Sequence, residues 1–329
     1  MNETETNEVI ISFVIPTLNR PNPLEKALQS IFRQTKLPDE IIIVDQSDDS
    51  KTQNLIKKKL QISLKKGISL RYMWEEIKSI NHARNLGLHA ATGNIVLFLD
   101  DDMIVDEHYV SEILKVFRNN PSAIGVQGCL FPPPYWQGLS TKAILLNYLH
   151  RIFLLTHWER NKQRVLLSGD IAVAYPLTRT IKATIIYPCV SAFKREMLKE
   201  TQLDENLKGY SWQEEYFTLK LSQSYPHSLF VTPFARVVHD RVLSPAGRPA
   251  GKQLAHIIAA YEVYNFVNCL GPSLKNWIAL FWKLLGRIII GALDLPQKEL
   301  RTRLLYTLQS YSWALGNLGE VRNARFNHR

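Results

Sequence analysis

Three consecutive carboxylates follow a short apolar run near the middle of the amino-terminal half. Ile95–Leu99 contains no polar residue, and Asp100, Asp101 and Asp102 come directly after it. Such a run, without polar alternation, is typical of a central strand buried on both faces. Ligands of open α/β sheets bind outside the carboxyl ends of the strands, so the acids occupy a position where a site is expected. Alternate side chains of an extended chain share one side, which predicts that Asp100 and Asp102 face together and Asp101 points away.

Two hard oxygen donors on one side of a strand end suit Mg²⁺ or Mn²⁺, and such an ion would in turn hold phosphate oxygens. An ordinary solvated acidic turn is the alternative. A second acidic cluster weighs against that alternative, because the apolar run Ile41–Val44 also ends in acids, Asp45, Asp48 and Asp49. Two strands that end in acids on the same rim indicate a site.

The elements that would hold these acids alternate between strand and helix patterns. Strands are predicted at 9–16, 41–44, 68–74, 95–99 and 123–130, with helices between them. This alternation is typical of a parallel, doubly wound α/β sheet. Farther along, a helix is predicted at 212–222, and short strands are predicted at 185–186, 229–231 and 235–238.

Composition limits the class of protein. The 329 residues allow one large domain with an appendage or two domains, and 46% hydrophobic residues indicate a globular chain. The three cysteines lie far apart without a CxxC pair, which favours a reducing compartment, and no signal segment is recognised. A net charge of +10 is compatible with an anionic membrane surface or a phosphorylated substrate. No nucleic-acid-binding motif is present, so no nucleic-acid partner is expected.

The carboxy-terminal region reads as helical. Residues 1–8 are expected to form a disordered tail, 9–245 one domain and 246–329 a helical region that follows a Pro/Gly-rich boundary. The segment 277–295 is too interrupted by charge for a membrane span. Its Lys283 and Arg287 lie four residues apart on one face, so a basic amphipathic helix in the membrane interface is one interpretation. A helical subdomain packed on the core is the other.

Four blocks of sequence carry a resemblance to a known family: VIPTLNRP at 14–21, IIIVDQSDDS at 41–50, NHARNLGLHAATGNIVLFLDDDM at 81–103, and GYSWQEEYFTLKLS at 209–222 with His239 after it. Together they resemble the family 2 glycosyltransferases. The resemblance implies a GT-A-type, Rossmann-like, mostly parallel α/β sheet flanked by helices, with a C-terminal helical appendage. It also implies a rhamnosyltransferase-like or related enzyme of cell-envelope polysaccharide biosynthesis.

The same resemblance implies how the donor nucleotide is bound. Pro16 and Thr17 would lie against the nucleotide, and Asp45 would accept a hydrogen bond from the imide N–H of uracil or thymine. Arg84 and Asn85 match the segment that counters the diphosphate charge. For Asp45 the alternative is a turn-forming role, and for Arg84 it is a surface salt bridge.

The metal ligands and the base follow in the same way. Asp102 would bind Mg²⁺ or Mn²⁺, Asp100 the ribose or a metal-bound water, and His239 would complete the metal site unless it is a structural histidine. A triple Asp leaves this register open by one residue. The acceptor hydroxyl must lose its proton, and Glu214 is the expected base, with Glu215 as the fallback.

These residues together predict an inverting, metal-dependent glycosyltransferase. It would move a sugar from a UDP- or dTDP-sugar to a hydroxyl of a glycan or lipid-linked saccharide acceptor. The expected location is the cytoplasm, peripheral on the membrane. The alternatives are a catalytically inactive sugar-nucleotide-binding or membrane-scaffolding protein, and a nucleotidyltransferase. The segment after the first strand is not the Gly-rich, basic phosphate loop that a nucleotidyltransferase usually carries.

Overall fold

The computed structural model describes residues 9–131, 140–207, 213–240, 250–294 and 297–323. The chain forms two compact units. The first comprises Met1–Phe131, Pro188–Leu203 and Phe234–Pro245, and the second comprises Pro132–Tyr187, Asp204–Pro233 and Ala246–Arg329. This division differs from the predicted boundary after residue 245, because 132–187 and 204–233 group with the carboxy-terminal helices. The predicted tail at 1–8 lies outside the described residues.

The first unit alternates strands and helices. In chain order its elements are β1 (Ile11–Thr17), α1 (Pro21–Ile31), β2 (Glu40–Asp45), α2 (Lys51–Lys65), β3 (Ser69–Trp74), α3 (Ile80–Ala90), β4 (Ile95–Leu99), β5 (Met103–Val105), α4 (Tyr109–Asn119) and β6 (Gly125–Leu130). After an excursion into the second unit, the chain returns as β11 (Val190–Lys194).

The second unit contains helices and short strands. Its elements are α5 (Thr141–Ile152), β7 (His157–Glu159), β8 (Arg164–Val165), β9 (Ile171–Ala174), β10 (Ile181–Ala183), α6 (Gln213–Ser224), α7 (Gly251–Asn265), α8 (Leu274–Asp294), α9 (Gln297–Gly316) and α10 (Leu318–Arg322). Strand β12 (Leu229–His239) begins in this unit, and its last six residues belong to the first.

The sheet of the first unit has the order β6-β11-β4-β1-β2-β3. Its β1, β2, β3 and β4 are parallel, and β11 runs antiparallel between β4 and β6. Every residue of β1, β2 and β4 is buried, as expected for strands covered on both faces by helices. The prediction of a mostly parallel α/β sheet flanked by helices is therefore confirmed.

The chain turns sharply where β4 ends. The amide of Met103 donates to the carbonyl of Asp100 at 3.1 Å, which closes a turn over the three aspartates. Strand β5 then pairs antiparallel with the end of β12, and Met103 lies opposite His239. This pairing brings a histidine from far along the chain to the carboxyl end of β4.

Three local predictions differ from the structure. Strand β11 was not expected, and residues 229–231 and 235–238 belong to one strand rather than two. The predicted strand at Ile185–Ile186 is wrong. The Thr218 hydroxyl donates to the carbonyl of Ile186 at 2.8 Å and accepts from its amide at 3.4 Å, so this backbone bonds to a helix side chain instead of a neighbouring strand.

A buried set of ionic groups joins α7, α8 and α9 to the strand β9 region. We call it the ion network: Asp170, Glu262, Lys283, Arg287 and Tyr311. Lys283 Nζ lies 2.9 Å from Asp170 Oδ1 and 2.6 Å from Glu262 Oε2. Arg287 and the Tyr311 hydroxyl also donate to Glu262. Burial alone would raise the pKa of Glu262, but Arg287 and Lys283 outweigh burial and lower that pKa to about 2.

The ion network rules out the exposed basic face that one interpretation of α8 assumes. Lys283 and Arg287 do share a face, but that face points inward, and the Lys283 side chain is fully buried. They therefore form no exposed basic surface. The described helices include none that combines the length and apolar character needed to span a bilayer.

Candidate active site

Arg20 holds two of the three aspartates that follow β4. Its Nη1 lies 2.8 Å from Asp101 Oδ1, and its Nη2 lies 2.7 Å from Asp102 Oδ2. Thr17, at the end of β1, donates to the other oxygen of Asp101 at 2.7 Å. We call Asp100, Asp101 and Asp102 the carboxylate turn. One guanidinium thus connects the loop after β1 to the turn after β4, as expected where parallel strands end at one edge.

The electrostatic environments of Asp101 and Asp102 differ. Burial raises the pKa of Asp101 to about 7, although Arg20 and Thr17 oppose that rise. Burial would also raise the pKa of Asp102, but hydrogen bonds from His239 and Arg20 outweigh burial and lower it. Asp102 therefore stays ionised at neutral pH, as a metal-binding carboxylate must.

The expectation that Asp101 points away from the site is wrong. It rested on an extended chain, in which neighbouring side chains alternate, whereas residues 100–102 form a turn. In the turn Asp101 and Asp102 both meet Arg20, and Asp100 points to a different partner.

That partner is Arg84 on α3. Arg84 Nη2 lies 2.7 Å from Asp100 Oδ1, and the Arg84 side chain is fully buried. The alternative of a surface salt bridge is therefore wrong. Gly87 explains how α3 comes close enough, because a Cβ at this position would lie 2.3 Å from a methyl carbon of Val14 in β1. The missing side chain lets the helix pack directly on the strand.

Asn85 lies on the same helix and has a different environment. Its amide nitrogen donates to the carbonyl of Leu203 at 2.9 Å, and its amide oxygen accepts from the Leu203 amide at 3.1 Å. The side chain is almost completely buried. The structure therefore does not bring Asn85 together with the carboxylate turn, and its predicted contact with the donor stays a prediction.

Asp45 ends β2 directly beside the end of β1, with Thr17 as its neighbour in the parallel ladder and Pro16 opposite Val44. Its carboxylate is buried and accepts from the Tyr72 hydroxyl at 2.9 Å and the Ser47 amide at 3.0 Å. Burial, and then this hydrogen bond, raises the pKa of Tyr72. The Tyr72 hydroxyl therefore stays a donor to Asp45 at every physiological pH.

A polar cavity of about 630 Å³ opens beyond β2 and β3. Tyr72 and Trp74 form part of its wall, with Asp48 and Lys78 paired at its rim. The Trp74 side chain is 59% exposed and donates from its indole to the Ser47 carbonyl at 3.1 Å. The exposed, hydrogen-bonded indole of Trp74 lies opposite the buried acceptor Asp45 in the β2–β3 ladder and is a suitable surface for a planar heterocycle.

The three predicted metal ligands converge only in part. His239 Nε2 lies 3.3 Å from Asp102 Oδ2, whereas Asp100 is bonded to Arg84. Among the described residues, no group of three or more acidic, histidine or cysteine side chains is arranged to hold a metal ion. The carboxylate of Asp102 nevertheless suits Mg²⁺ or Mn²⁺, whereas the imidazole of His239 favours Mn²⁺ over Mg²⁺, which prefers oxygen ligands. Arg20 is the cation that contacts Asp102 in this structure.

The predicted bases lie on α6. Glu214 and Glu215 occupy the first turn of this helix, in agreement with the predicted helix at 212–222. Their side chains lie outside the described residues. Their roles as base and fallback therefore remain predictions.

Two residues of the site were missed in the sequence. Arg20 was read only as part of the loop after β1, and Tyr72 only as part of a strand. The position of Arg20 was a usable signal, because it is a lone arginine in the loop that leaves β1, and the strands that follow end in acids. No local signal identifies Tyr72, because its contact with Asp45 depends on the register of β2 and β3.

Residues 12–202 match the family described as Glycosyl transferase family 2. The match covers more than half of the 329 residues, and the chain therefore belongs to this family. Validoxylamine A glucosyltransferase of Streptomyces hygroscopicus subsp. limoneus is 27% identical over 126 residues, which is 37% of this chain and 27% of that protein. An uncharacterized glycosyltransferase of Rickettsia conorii is 32% identical over 114 residues, 35% of this chain and 18% of the relative. The aligned region thus spans less than a third of either relative.

Solved structures share the fold at low sequence identity. A mannosyltransferase of Pyrobaculum calidifontis, in complex with GDP-Man and Mn²⁺, has a TM-score of 0.57 at 17% identity and covers 95% of this chain and 88% of its own. S. aureus TarS 1–349, in complex with UDP-GlcNAc, has a TM-score of 0.58 at 13% identity, with 96% and 82% covered. The predicted GT-A-type fold is confirmed.

Proposed function

We propose that this protein is an inverting, metal-dependent glycosyltransferase that uses a UDP- or dTDP-sugar. The observation that carries the proposal is the carboxylate turn at the end of β4. There Asp102, ionised and largely buried, meets His239, which is 28% exposed, from β12 and Arg20 from the loop after β1. Membership of glycosyl transferase family 2 supports the reaction class.

The donor nucleotide binds along the ends of β1 and β2. Asp45 accepts a hydrogen bond from the imide N–H of the base, and Tyr72 keeps that carboxylate in place. Pro16 and Thr17 line the same edge of the sheet. Arg84 is buried and acts from behind Asp100, where its positive charge favours the diphosphate without contacting it.

Asp102 and His239 are the residues that would hold the divalent ion. When bound, Mn²⁺ or Mg²⁺ would supply positive charge for the departing nucleoside diphosphate. The mannosyltransferase of similar fold was solved with Mn²⁺, which supports a divalent ion here. Arg20 would have to give up its bond to Asp102 as the ion enters.

Glu214 takes the proton of the acceptor hydroxyl, with Glu215 as the fallback. The acceptor oxygen then forms the new bond to the anomeric carbon, and the bond to the diphosphate oxygen breaks on the opposite face, which inverts the centre. The acceptor we propose is a hydroxyl of a glycan or lipid-linked saccharide in cell-envelope polysaccharide biosynthesis. Cys129, Cys189 and Cys269 form no disulfide among the described residues, and this favours the reducing cytoplasm.

Thermal unfolding with UDP, dTDP and GDP, each with and without Mn²⁺, tests the donor site. A ligand that binds only the folded state raises the melting temperature. We expect Mn²⁺-dependent stabilisation by UDP or dTDP that is lost in Asp102→Ala and kept in Glu107→Ala, a carboxylate that is 65% exposed. No stabilisation by any nucleotide would overturn the proposed site. Stabilisation without sugar transfer in wild type would instead favour an inactive sugar-nucleotide-binding protein.

A further inference from the structure

Helix α8 turns its basic side chains inward and large apolar side chains outward. Lys283 is fully buried in the ion network, and Arg287 bonds Glu262 on the same side. Helical spacing puts the opposite face outside, where five apolar side chains are between 37 and 76% exposed: Leu274, Ile278, Phe281, Leu285 and Ile289. A helix on the surface of a water-soluble protein normally turns its apolar side chains inward and its charged side chains outward.

Helix α5, which packs on α8, also exposes apolar side chains. Ile144, Leu145, Tyr148 and Ile152 lie three or four residues apart along one side of α5, and each is at least 41% exposed.

The carboxyl end of α5 is firmly packed on α8. The indole of Trp282 donates to the carbonyl of Ile152 at 2.8 Å, and its ring centroid lies 5.1 Å from that of Phe153. A Cβ on Gly286 would lie 2.2 Å from the Cβ of Phe153, so only glycine allows this close approach. The two exposed apolar faces therefore belong to one packed pair of helices.

We define the outer face as the nine exposed apolar residues of this pair: Ile144, Leu145, Tyr148, Ile152, Leu274, Ile278, Phe281, Leu285 and Ile289. Singly exposed apolar residues are ordinary, but two packed helices that both present such a face mark a docking surface. The hydrogen bond to Ile152 and the close approach of Phe153 to Gly286 fix how the two helices pack.

We propose that the outer face binds the surface of an anionic lipid bilayer. Aliphatic side chains together with Tyr148 and Phe281 suit the boundary between headgroups and acyl chains. Lys275 and Arg151 are exposed beside the outer face, and Arg151 is 56% exposed although its Nη2 lies 3.7 Å from Glu159 Oε1. Helix α5 contains no acidic residue, and α8 has one, Asp294, at its last position. Anionic lipid headgroups complement these positive margins.

A second copy of the chain fits the outer face less well. In a two-fold symmetric dimer the same patch faces itself, so the basic margins of one copy would meet those of the other. The bilayer proposal does not depend on sugar transfer, and binding is measured without donor or acceptor. Failure of the proposed activity would therefore leave it unaffected.

Sedimentation of the full chain with vesicles tests the proposal. The probes are vesicles of phosphatidylcholine alone and of phosphatidylcholine with phosphatidylglycerol. The double variant Ile278→Glu/Leu285→Glu should bind the anionic vesicles about tenfold more weakly or worse than wild type, because charge replaces inserted apolar surface. The matched control is Ile62→Glu/Leu64→Glu on α2, whose side chains are 41 and 73% exposed. The control should bind like wild type.

Two further measurements separate the outcomes. Arg151→Gln/Lys275→Gln should weaken binding to the anionic vesicles and leave binding to phosphatidylcholine unchanged, because only the headgroup attraction is removed. Sedimentation equilibrium reports the oligomeric state of each variant. Equal vesicle binding by wild type and Ile278→Glu/Leu285→Glu would overturn the proposal. A wild-type dimer that this variant dissociates, without any vesicle binding, would assign the outer face to a second copy.

Discussion

The carboxylate turn and the ion network are built from the same kinds of group but differ in balance and enclosure. In the turn, Arg20 faces both Asp101 and Asp102, and His239 beside them is 28% exposed. In the network, two cations face two carboxylates, and the Asp170, Glu262 and Lys283 side chains are at most 3% exposed. The network thus has matched charges around buried carboxylates, with Arg287 24% exposed at its edge, whereas the turn has an excess of carboxylate, with Asp100 25% exposed at the sheet edge.

This difference separates a structural ionic cluster from a binding site. Removing one partner from a buried, matched cluster leaves an uncompensated buried charge. An accessible cluster with excess carboxylate can exchange one cation for another, including a metal ion. Asp101 and Asp102, whose pKa values are shifted at such an edge, are therefore candidates for function, while Glu262, whose pKa is also shifted, belongs to a cluster that holds three helices and a strand segment together.

The largest expected effect is on stability, in the network. Lys283→Ala should lower the free energy of unfolding by about 3–5 kcal/mol, because Asp170 and Glu262 lose a buried cation that contacts both. Urea unfolding measures the loss. Lys275→Ala, on the exposed surface of the same helix, is the control and should change stability by less than about 0.5 kcal/mol. Equal losses of unfolding free energy in the two variants would contradict the difference between the network and the exposed surface.

The next effect is on activity, in the turn. Asp102→Ala should reduce sugar transfer by about 10²–10³-fold, the usual loss when one electrostatic stabiliser of a transition state is removed. Its unfolding free energy should change little, because Arg20 keeps its bond to Asp101. Release of nucleoside diphosphate measures transfer, with Glu107→Ala as the control. A variant that transfers sugar at the wild-type rate would place the metal elsewhere.

A smaller effect tests whether the turn can exchange its cation. Arg20→Ala should destabilise the protein by about 1–3 kcal/mol, since it leaves partly buried carboxylates without their donor. Mn²⁺ should restore part of that loss in Arg20→Ala, because the ion binds only the folded state. Mn²⁺ should not restore the loss in Lys283→Ala. Recovery in both variants, or in neither, would contradict the distinction between the two clusters.

A pH-dependent effect concerns Glu262 in the network. Its pKa falls from an ordinary value of 4.5 to about 2 in the folded protein, because Arg287 and Lys283 overcome the effect of burial. Between these pKa values the unfolded state binds more protons than the folded state. The contribution of Glu262 to stability is therefore complete above pH 4.5 and is lost as the pH falls toward 2. Urea midpoints from neutral to acidic pH should fall more steeply in wild type than in Glu262→Gln. Parallel curves would show that Glu262 is not ionised in the folded state at acidic pH.

The amino-acid sequence alone predicts the strands that end in acids and the type of sheet that they form. Ile41–Val44 and Ile95–Leu99 are continuous apolar runs, so their burial and the position of Asp45 and Asp100 at the carboxyl ends followed from composition over a few residues. The roles assigned to Asp45, Asp100, Asp102 and His239 came from the family resemblance, and they remain predictions for the experiments above.

Which side chains form ion pairs depends on the tertiary structure. Arg20 and Asp102 are separated by 82 residues, and Lys283 and Asp170 by 113, so no local pattern signals either pair. The same reason explains why the exposed basic face expected of α8 is wrong. Helical spacing puts Lys283 and Arg287 on one face, but it does not say whether that face meets water or two buried carboxylates. That choice depends on Asp170 and Glu262, whose own position comes from long-range packing, and the free energy of pairing buried charges reverses the orientation that the charges alone would favour.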